Sequence, residues 1–331
     1  AGRLRWRVAR AERPRVRGSS GEDRWLECGL REGAEAEPCA ALLGVLDGHG
    51  GAGAAELAAE RLPPLMLALL AAGRSVPGAL DEAFARLEAE LAASGSQPGT
   101  CVNLCLLAGP CLWCANLGDC RACYVDLESA ALTWLSRDHQ GTEPGERERV
   151  EAAGAAVVDG RVGGLLEPSR TLGDMDVKTA LPGAISAEPE HRALDLREEA
   201  AGPAGHARGV VLLASDGLWR HVGGEAVVRA VRRARGATKG RAAFGREEAQ
   251  ELAQQICDEL LGRTDRSDDV TILAATLEAN WEPTAVVPLD AEEQPGEPRW
   301  SLEARVALPG GDLRELLPDE DRILTKCLLQ L

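Results

Sequence analysis

The chain has 331 residues with 45% apolar content, enough to build a substantial core as one large domain or two small ones. Aromatic residues make up only 3%, so Ala, Leu and Val must fill that core. A net charge of −16, from 53 acidic against 37 basic residues, argues against a broad nucleic-acid or anionic-membrane surface, because either needs a basic face.

Seven arginines lie between Arg3 and Arg17. They read as a solvated edge strand, with a docking or phosphate-facing edge as the alternative. No run of about 18 apolar residues exists, so no membrane span is predicted. No signal-peptide pattern opens the chain, and the missing Met suggests trimming. The expected location is the cytoplasm, with the nucleus as the alternative, and the expected state is a monomer.

Ala41 to Leu46 is a short apolar run, read as a buried strand, that stops at Asp47-Gly48-His49-Gly50-Gly51. Gly53 to Leu70 has helical periodicity, with a kink or break expected at Pro63-Pro64. Leu80 to Ala92 repeats apolar residues at three- and four-residue steps and reads as a second helix. Cys101 to Leu107 and Cys111 to Ala115 read as a hairpin turning at Gly109-Pro110. Helical patterns follow at Glu146 to Ala153, Glu225 to Arg235 and Glu247 to Gly262, and buried strands at Gly209 to Ala214 and Val270 to Leu277. Residues 279 to about 300, rich in Pro and Glu, read as a linker, and 311–330 as one or two short helices. Residues 1–278 therefore read as the main domain and 279–331 as a C-terminal extension. Strands and helices come in runs, which favours an α+β fold over a doubly wound parallel sheet.

Ten cysteines in a chain this long do not make a disulfide scaffold, and a reducing, intracellular setting is expected. Cys111/Cys114 and Cys120/Cys123 have zinc-like spacing, but only ANLGD separates the pairs and both lie in strand-like sequence. They read as small buried hydrophobes.

The chemistry lies in where the carboxylates fall. Three buried-strand candidates begin or end on an acid: Asp47, Asp216 and Asp268. A carboxylate at the end of an apolar strand is held rigidly and partly desolvated, so three converging would repel unless a cation sat among them. Hard oxygen ligands suit Mg²⁺ or Mn²⁺. Gly48 and Gly217 let backbone approach such an ion, and Gly48 could offer its carbonyl. A single Asp-Gly is more often a hairpin turn, whereas Asp47-Gly48-His49-Gly50-Gly51 gathers a carboxylate, an imidazole and pliable backbone at one spot.

Six ordered motifs then resemble those of the metal-dependent type 2C (PPM) serine/threonine protein phosphatases over roughly residues 5–278. They are Asp47-Gly48-His49-Gly50-Gly51, and Ala115 to Ala122 with Cys120 for the usual Ser. Next come Asp138-His139 with Glu146 to Gly154, and Arg161-Val162 to Asp174. Ser215 to Trp219 and Ser267 to Thr271 complete the set. The resemblance implies two packed antiparallel β-sheets flanked by helices, with metals in a cleft at one edge. It also implies hydrolysis of phosphoserine and phosphothreonine in a phosphoprotein substrate by a water activated by two Mg²⁺ or Mn²⁺ ions about 4 Å apart. Asp47 would bridge the ions, Asp216 and Asp268 complete one, and the Gly48 carbonyl help hold the other. His49 would protonate the leaving oxygen. Arg17, or Arg15 in its place, would bind phosphate, and Glu22-Asp23 would reach the second ion through water.

The match departs from the family at several points. Arg220 stands where the family has an acid that, with the counterpart of Asp138, is associated with a third, weaker metal; that site is expected to be lost or weakened while the two-metal core survives. Asp269 replaces an Asn. Asp119, Asp174 and Arg170 read as structural support beneath the cleft. The alternative function is a pseudophosphatase scaffold, but members of that kind lose core aspartates and this chain keeps Asp47, Asp216 and Asp268.

Overall fold

The computed structural model describes residues 3–16, 21–32, 40–95, 97–108, 110–199, 206–237, 245–280, 300–307 and 313–316. The first half comprises β1 (Arg3–Arg13), β2 (Arg24–Glu32), β3 (Ala40–His49), α1 (Gly53–Ala71), α2 (Val76–Ser94), β4 (Gly99–Ala108), β5 (Cys111–Leu117), β6 (Arg121–Asp126) and β7 (Leu132–Trp134). Short elements follow: α3 (Pro144–Ala152), β8 (Val157–Val158), β9 (Arg161–Val162), β10 (Leu172–Gly173), α4 (Met175–Ala180), β11 (Glu190–Asp195) and α5 (Leu196–Glu199). The remainder is β12 (His206–Ala214), α6 (Asp216–Trp219), α7 (Gly224–Ala237), α8 (Arg246–Leu261), β13 (Val270–Asn280), β14 (Trp300–Ala307) and β15 (Leu313–Leu316).

The strands form two antiparallel sheets. One runs β1-β13-β12-β6-β7 and the other β11-β5-β4-β3-β2-β14-β15, with β10 also paired to β4. The period-two alternation of strands explains how apolar runs fill two cores at once. In β3, Leu43 and Val45 face the opposite sheet, meeting Tyr124, Val211, Leu213 and Leu273. Leu42 and Leu46 point the other way, onto Leu62, Met66, Phe84 and Leu87 of α1 and α2. In β12, Val211 and Leu213 enter the inter-sheet core, whereas Val210 and Leu212 pack on Val227, Val231, Leu252 and Ile256 of α7 and α8. The result is a helix–sheet–sheet–helix sandwich, the α+β class expected.

The arginine-rich start forms β1, the outermost strand of its sheet, paired with β13 from Arg3 to Arg13. The β4–β5 hairpin forms as read, although Gly109 lies outside the described residues. Helix α1 runs unbroken through Pro63 and Pro64, where a kink or split is predicted. Burial of Leu62, Pro63 and Met66 on the sheet outweighs the backbone bonds those prolines remove. Much of the 279–300 linker lies outside the described residues. The helical reading of 311–330 fails at Leu313–Leu316, which is a strand, while 317–331 lies outside the described residues. Residues 300–306 alternate apolar with polar residue types and pair with β2, closing an edge that would otherwise expose unpaired backbone groups. Cys120 faces the inter-sheet core and Cys123 the helical layer, so the two cysteines of that zinc-like pair point apart.

Candidate metal centre

Strand ends converge on one edge of the sandwich. β3 ends in Asp47-Gly48-His49, β5 is followed by Asp119, β12 by Asp216, and β13 is preceded by Asp268. Ligand oxygens of Asp47, Asp119 and Asp216 all lie within 4.8 Å of one another, and this is the acid group among the described residues that could hold a metal ion. Asp119 is 4% exposed and Asp216 9% exposed. The Asp216 backbone N–H, at the start of α6, donates to Asp47 Oδ2 at 3.4 Å.

Asp23 lies beneath the group. Its Oδ2 accepts from Ser215 Oγ at 2.7 Å, while its Oδ1 is buried without a hydrogen-bond partner. An orphaned carboxylate oxygen beside three convergent carboxylates is a donor set that calls for a cation. Burial is the first cause of the upward shift of the Asp23 carboxyl to about 7, opposed by Ser215 and Thr271 and reinforced by Asp269 and Asp268. Burial likewise drives Asp216 to about 7, with Asp119 adding to the shift and Arg220 resisting it. Asp47 is pushed well above the carboxylate range by burial and then by Asp23 and Asp216. Hard oxygen donors in this number fit Mg²⁺ or Mn²⁺.

Glycine is required at two points by close approach rather than by backbone dihedral. A Cβ on Gly48 would lie 2.5 Å from the Glu22 carbonyl oxygen, and one on Gly217 would overlap the Asp269 backbone. Glu22 is thus brought against Gly48 through its main chain. The loop leading to it is held by Asp269, whose Oδ1 accepts from the Arg15 N–H at 2.5 Å and Oδ2 from the Glu22 N–H at 2.6 Å. Arg17 lies outside the described residues.

His49 pairs with Asp174. Its Nε2 sits 3.0 and 2.9 Å from the two carboxylate oxygens, which fixes the ring and leaves Nδ1 as the nitrogen outside that pair. Asp174 has φ 53°, a left-handed conformation that a non-glycine residue seldom adopts. Asp174 thus contacts the imidazole as well as lying at the cleft. His139, beneath the next loop, accepts the Gly118 N–H at Nδ1 (3.2 Å) and so presents its Nε2 proton to Glu190 at 3.1 Å, anchoring the turn that carries Asp119.

Three further residues are placed by the structure. Asp119, which reads as structural support, belongs to the acid group itself. Asp138, which the resemblance links to a third metal site expected to be lost or weakened here, is held in a two-pronged pair with Arg121. Asp268 is separated from the tight trio and held by Arg220, which also bonds Asp216. The signal for Asp119 was available: it follows the apolar strand β5 as Asp216 follows β12. Arg170 does serve as support, pairing with Glu146.

The protein phosphatase 2C family profile matches residues 15–268. The chain belongs to that family. It is 37% identical over 241 residues to the probable protein phosphatase 1N of Homo sapiens, covering 69% of this chain and 52% of that protein. It is 34% identical over 202 residues to the probable protein phosphatase 2C 30 of Arabidopsis thaliana, covering 58% of this chain and 48% of that protein. The chain thus spans about half the length of these curated relatives. The crystal structure of serine-threonine phosphatase 2C from Toxoplasma gondii shares the fold, with TM-score 0.62 and 21% identity over 82% of this chain and 95% of that one. A C. elegans sex determining protein gives TM-score 0.63 at 22% identity over 82% of this chain and 64% of that one. Among the described residues, no helix is long and apolar enough to cross a membrane.

Proposed function

We propose that this chain hydrolyses phosphoserine and phosphothreonine esters in proteins, using two divalent cations, Mg²⁺ or Mn²⁺. The observation that carries the reading is the convergence of Asp47, Asp119 and Asp216 above the orphaned Asp23 oxygen, in a member of the protein phosphatase 2C family. Asp47 and Asp216 would hold the ions with the Gly48 carbonyl, Asp119 beside them and Asp268 once released from Arg220, and Glu22 and Asp23 would act through water. When bound, such ions supply Lewis acidity toward phosphoryl oxygens and a water acidic enough to attack near neutral pH.

The chain's own residues supply the rest. The strand ends fix the carboxylates before any ligand arrives, so little reorganisation is needed at the reacting phosphorus. His49, oriented by Asp174, is the proton donor to the departing serine or threonine oxygen. Arg17 is the phosphate ligand, in the sequence between Arg15 and Glu22, whose backbone N–H groups both donate to Asp269. Net charge −16 disfavours nucleic acid as substrate.

The test is phosphate release from a phosphothreonine peptide as Mn²⁺ is titrated in, with wild type beside Asp216→Asn. Turnover that requires the metal and collapses in the variant is expected. Turnover without metal, or none from a folded protein at any Mn²⁺ concentration, would overturn the reading.

A further inference from the structure

Arg220 sits at the C-terminal end of α6, immediately after Trp219, and its side chain folds back over the acid cluster. One guanidinium nitrogen bonds Asp216 Oδ2, and the other donates to Asp268 Oδ2 at 2.7 Å, with Glu167 a further 3.8 Å away. The side chain is 42% exposed, so one edge of the fork meets the carboxylates and the other meets solvent. A guanidinium does not lose its proton in a protein, and its planar fork matches two carboxylates better than a hydrated point charge does. The remaining Asp268 oxygen already accepts from the Asp269 N–H at 2.9 Å. Both acids therefore spend one oxygen on a cation that the chain itself supplies.

We propose that Arg220 is a tethered competitor of the metal: it holds Asp216 and Asp268 as their counter-ion, and a divalent cation must displace it to engage Asp268 and the second oxygen of Asp216. The inference rests on the reading of the cluster as a divalent-cation site, and it goes further than the loss of a peripheral third site. The guanidinium occupies acids assigned to the metal core, so the whole site loads at a higher cation concentration. It also makes the metal-free chain less strained, because a positive group already divides two of the converging acids. Partial exposure gives the side chain room to swing into solvent when a divalent cation takes its place.

The test uses the full chain and Mn²⁺ alone, following binding by calorimetry and the melting temperature with and without metal, for wild type, Arg220→Ala, Arg220→Gln and Arg220→Lys. Removing the guanidinium is expected to tighten Mn²⁺ binding by about tenfold, the effect of losing one contact of ~1.4 kcal/mol. It is also expected to lower the metal-free melting temperature, so that the rise on adding Mn²⁺ becomes larger. Gln should behave as Ala does, and Lys should fall between Ala and wild type because it keeps the charge without the fork. Folded Ala and Gln variants that bind Mn²⁺ no more tightly than wild type would overturn the proposal, even if their melting temperatures fall, because Arg220 would then be a structural pair only. If neither wild type nor any variant binds Mn²⁺, the cation-site reading and this proposal fall together. If wild type binds and the variants match it, only this proposal falls.

Discussion

Two groups of buried acids in this protein behave in opposite ways. Glu146, on α3, is surrounded by cations and a hydroxyl: Arg170 Nη2 lies 2.5 Å from Oε1, Arg149 Nη2 lies 3.0 Å from Oε2, and Ser169 Oγ donates at 2.7 Å. Burial alone would raise its carboxyl, but Arg170, Ser169 and Arg149 together outweigh it and hold the group at about 2. Asp23, Asp47 and Asp216 are surrounded mainly by one another, and burial and mutual repulsion push them up. The first arrangement is complete within the chain and serves structure. The second is incomplete, and under the proposed function a cation from solution would complete it. Arg220 stands between the two cases, supplying one internal charge to a cluster that holds several.

The largest expected effect breaks the incomplete side. Asp47→Asn should abolish metal-dependent turnover, exceeding the roughly 10–100-fold that losing an outer partner of a metal site costs. The same change should raise the metal-free melting temperature, because Asn escapes the cost of either burying a charged carboxylate among acids or protonating it. Phosphate release and thermal unfolding on one preparation check both. Glu146→Gln should do the reverse to the fold, removing about 3 kcal/mol of stability at neutral pH by leaving two arginines short of a partner. Because the folded carboxyl lies near 2 and the free one near 4.5, its stabilisation is present above pH 4.5. It is lost as pH falls toward 2, and the variant should lack that acid transition. Denaturant titrations across this range would show it.

The two sides should also differ in their response to pH without any mutation. Asp23 and Asp216, raised to about 7, bind protons in the folded state that the unfolded chain has already released. Their contribution is therefore intact below about pH 4 and lost as pH rises through 7. The metal-free protein should lose stability over that window, and saturating Mn²⁺ should remove the slope. Melting curves that slope equally with and without Mn²⁺ would contradict this. A smaller effect is expected at His49. Asp174→Asn keeps the shape but weakens the hold on the imidazole, and kcat should fall about tenfold with an altered pH profile, short of the 10²-fold or more expected for His49→Ala.

Much of this was legible in the sequence, for physical reasons. The apolar runs at 41–46, 209–214 and 270–277 had to be strands buried on both faces, and their acidic ends marked the site. What escaped depends on contacts between distant segments. Asp119 ends a strand as Asp216 does, but the convergence of β5 with β3 and β12 is a tertiary fact. The pair between His49 and Asp174 spans more than a hundred residues and turns on a left-handed Asp174 that no local pattern announces. Arg220 was visible as a departure from the family, yet only the folded chain puts its guanidinium on Asp216 and Asp268 together. At Trp300–Ala307 the residue types alternate with a strand period, but that segment becomes a strand only because β2 has an edge to pair with.

The most direct test of the contrast between complete and incomplete acids is calorimetric titration of Mn²⁺ into the wild-type chain and into Asp47→Asn, repeated in buffers of different ionisation heat between pH 6 and 7.5. Carboxyls held near 7 must give up protons when a cation arrives, so wild type should bind Mn²⁺ with proton release that grows as pH falls, and the variant should lose that binding. A folded wild-type chain that takes up no Mn²⁺, or an Asp47→Asn variant that binds it unchanged, would contradict the assignment of these aspartates as a cation site.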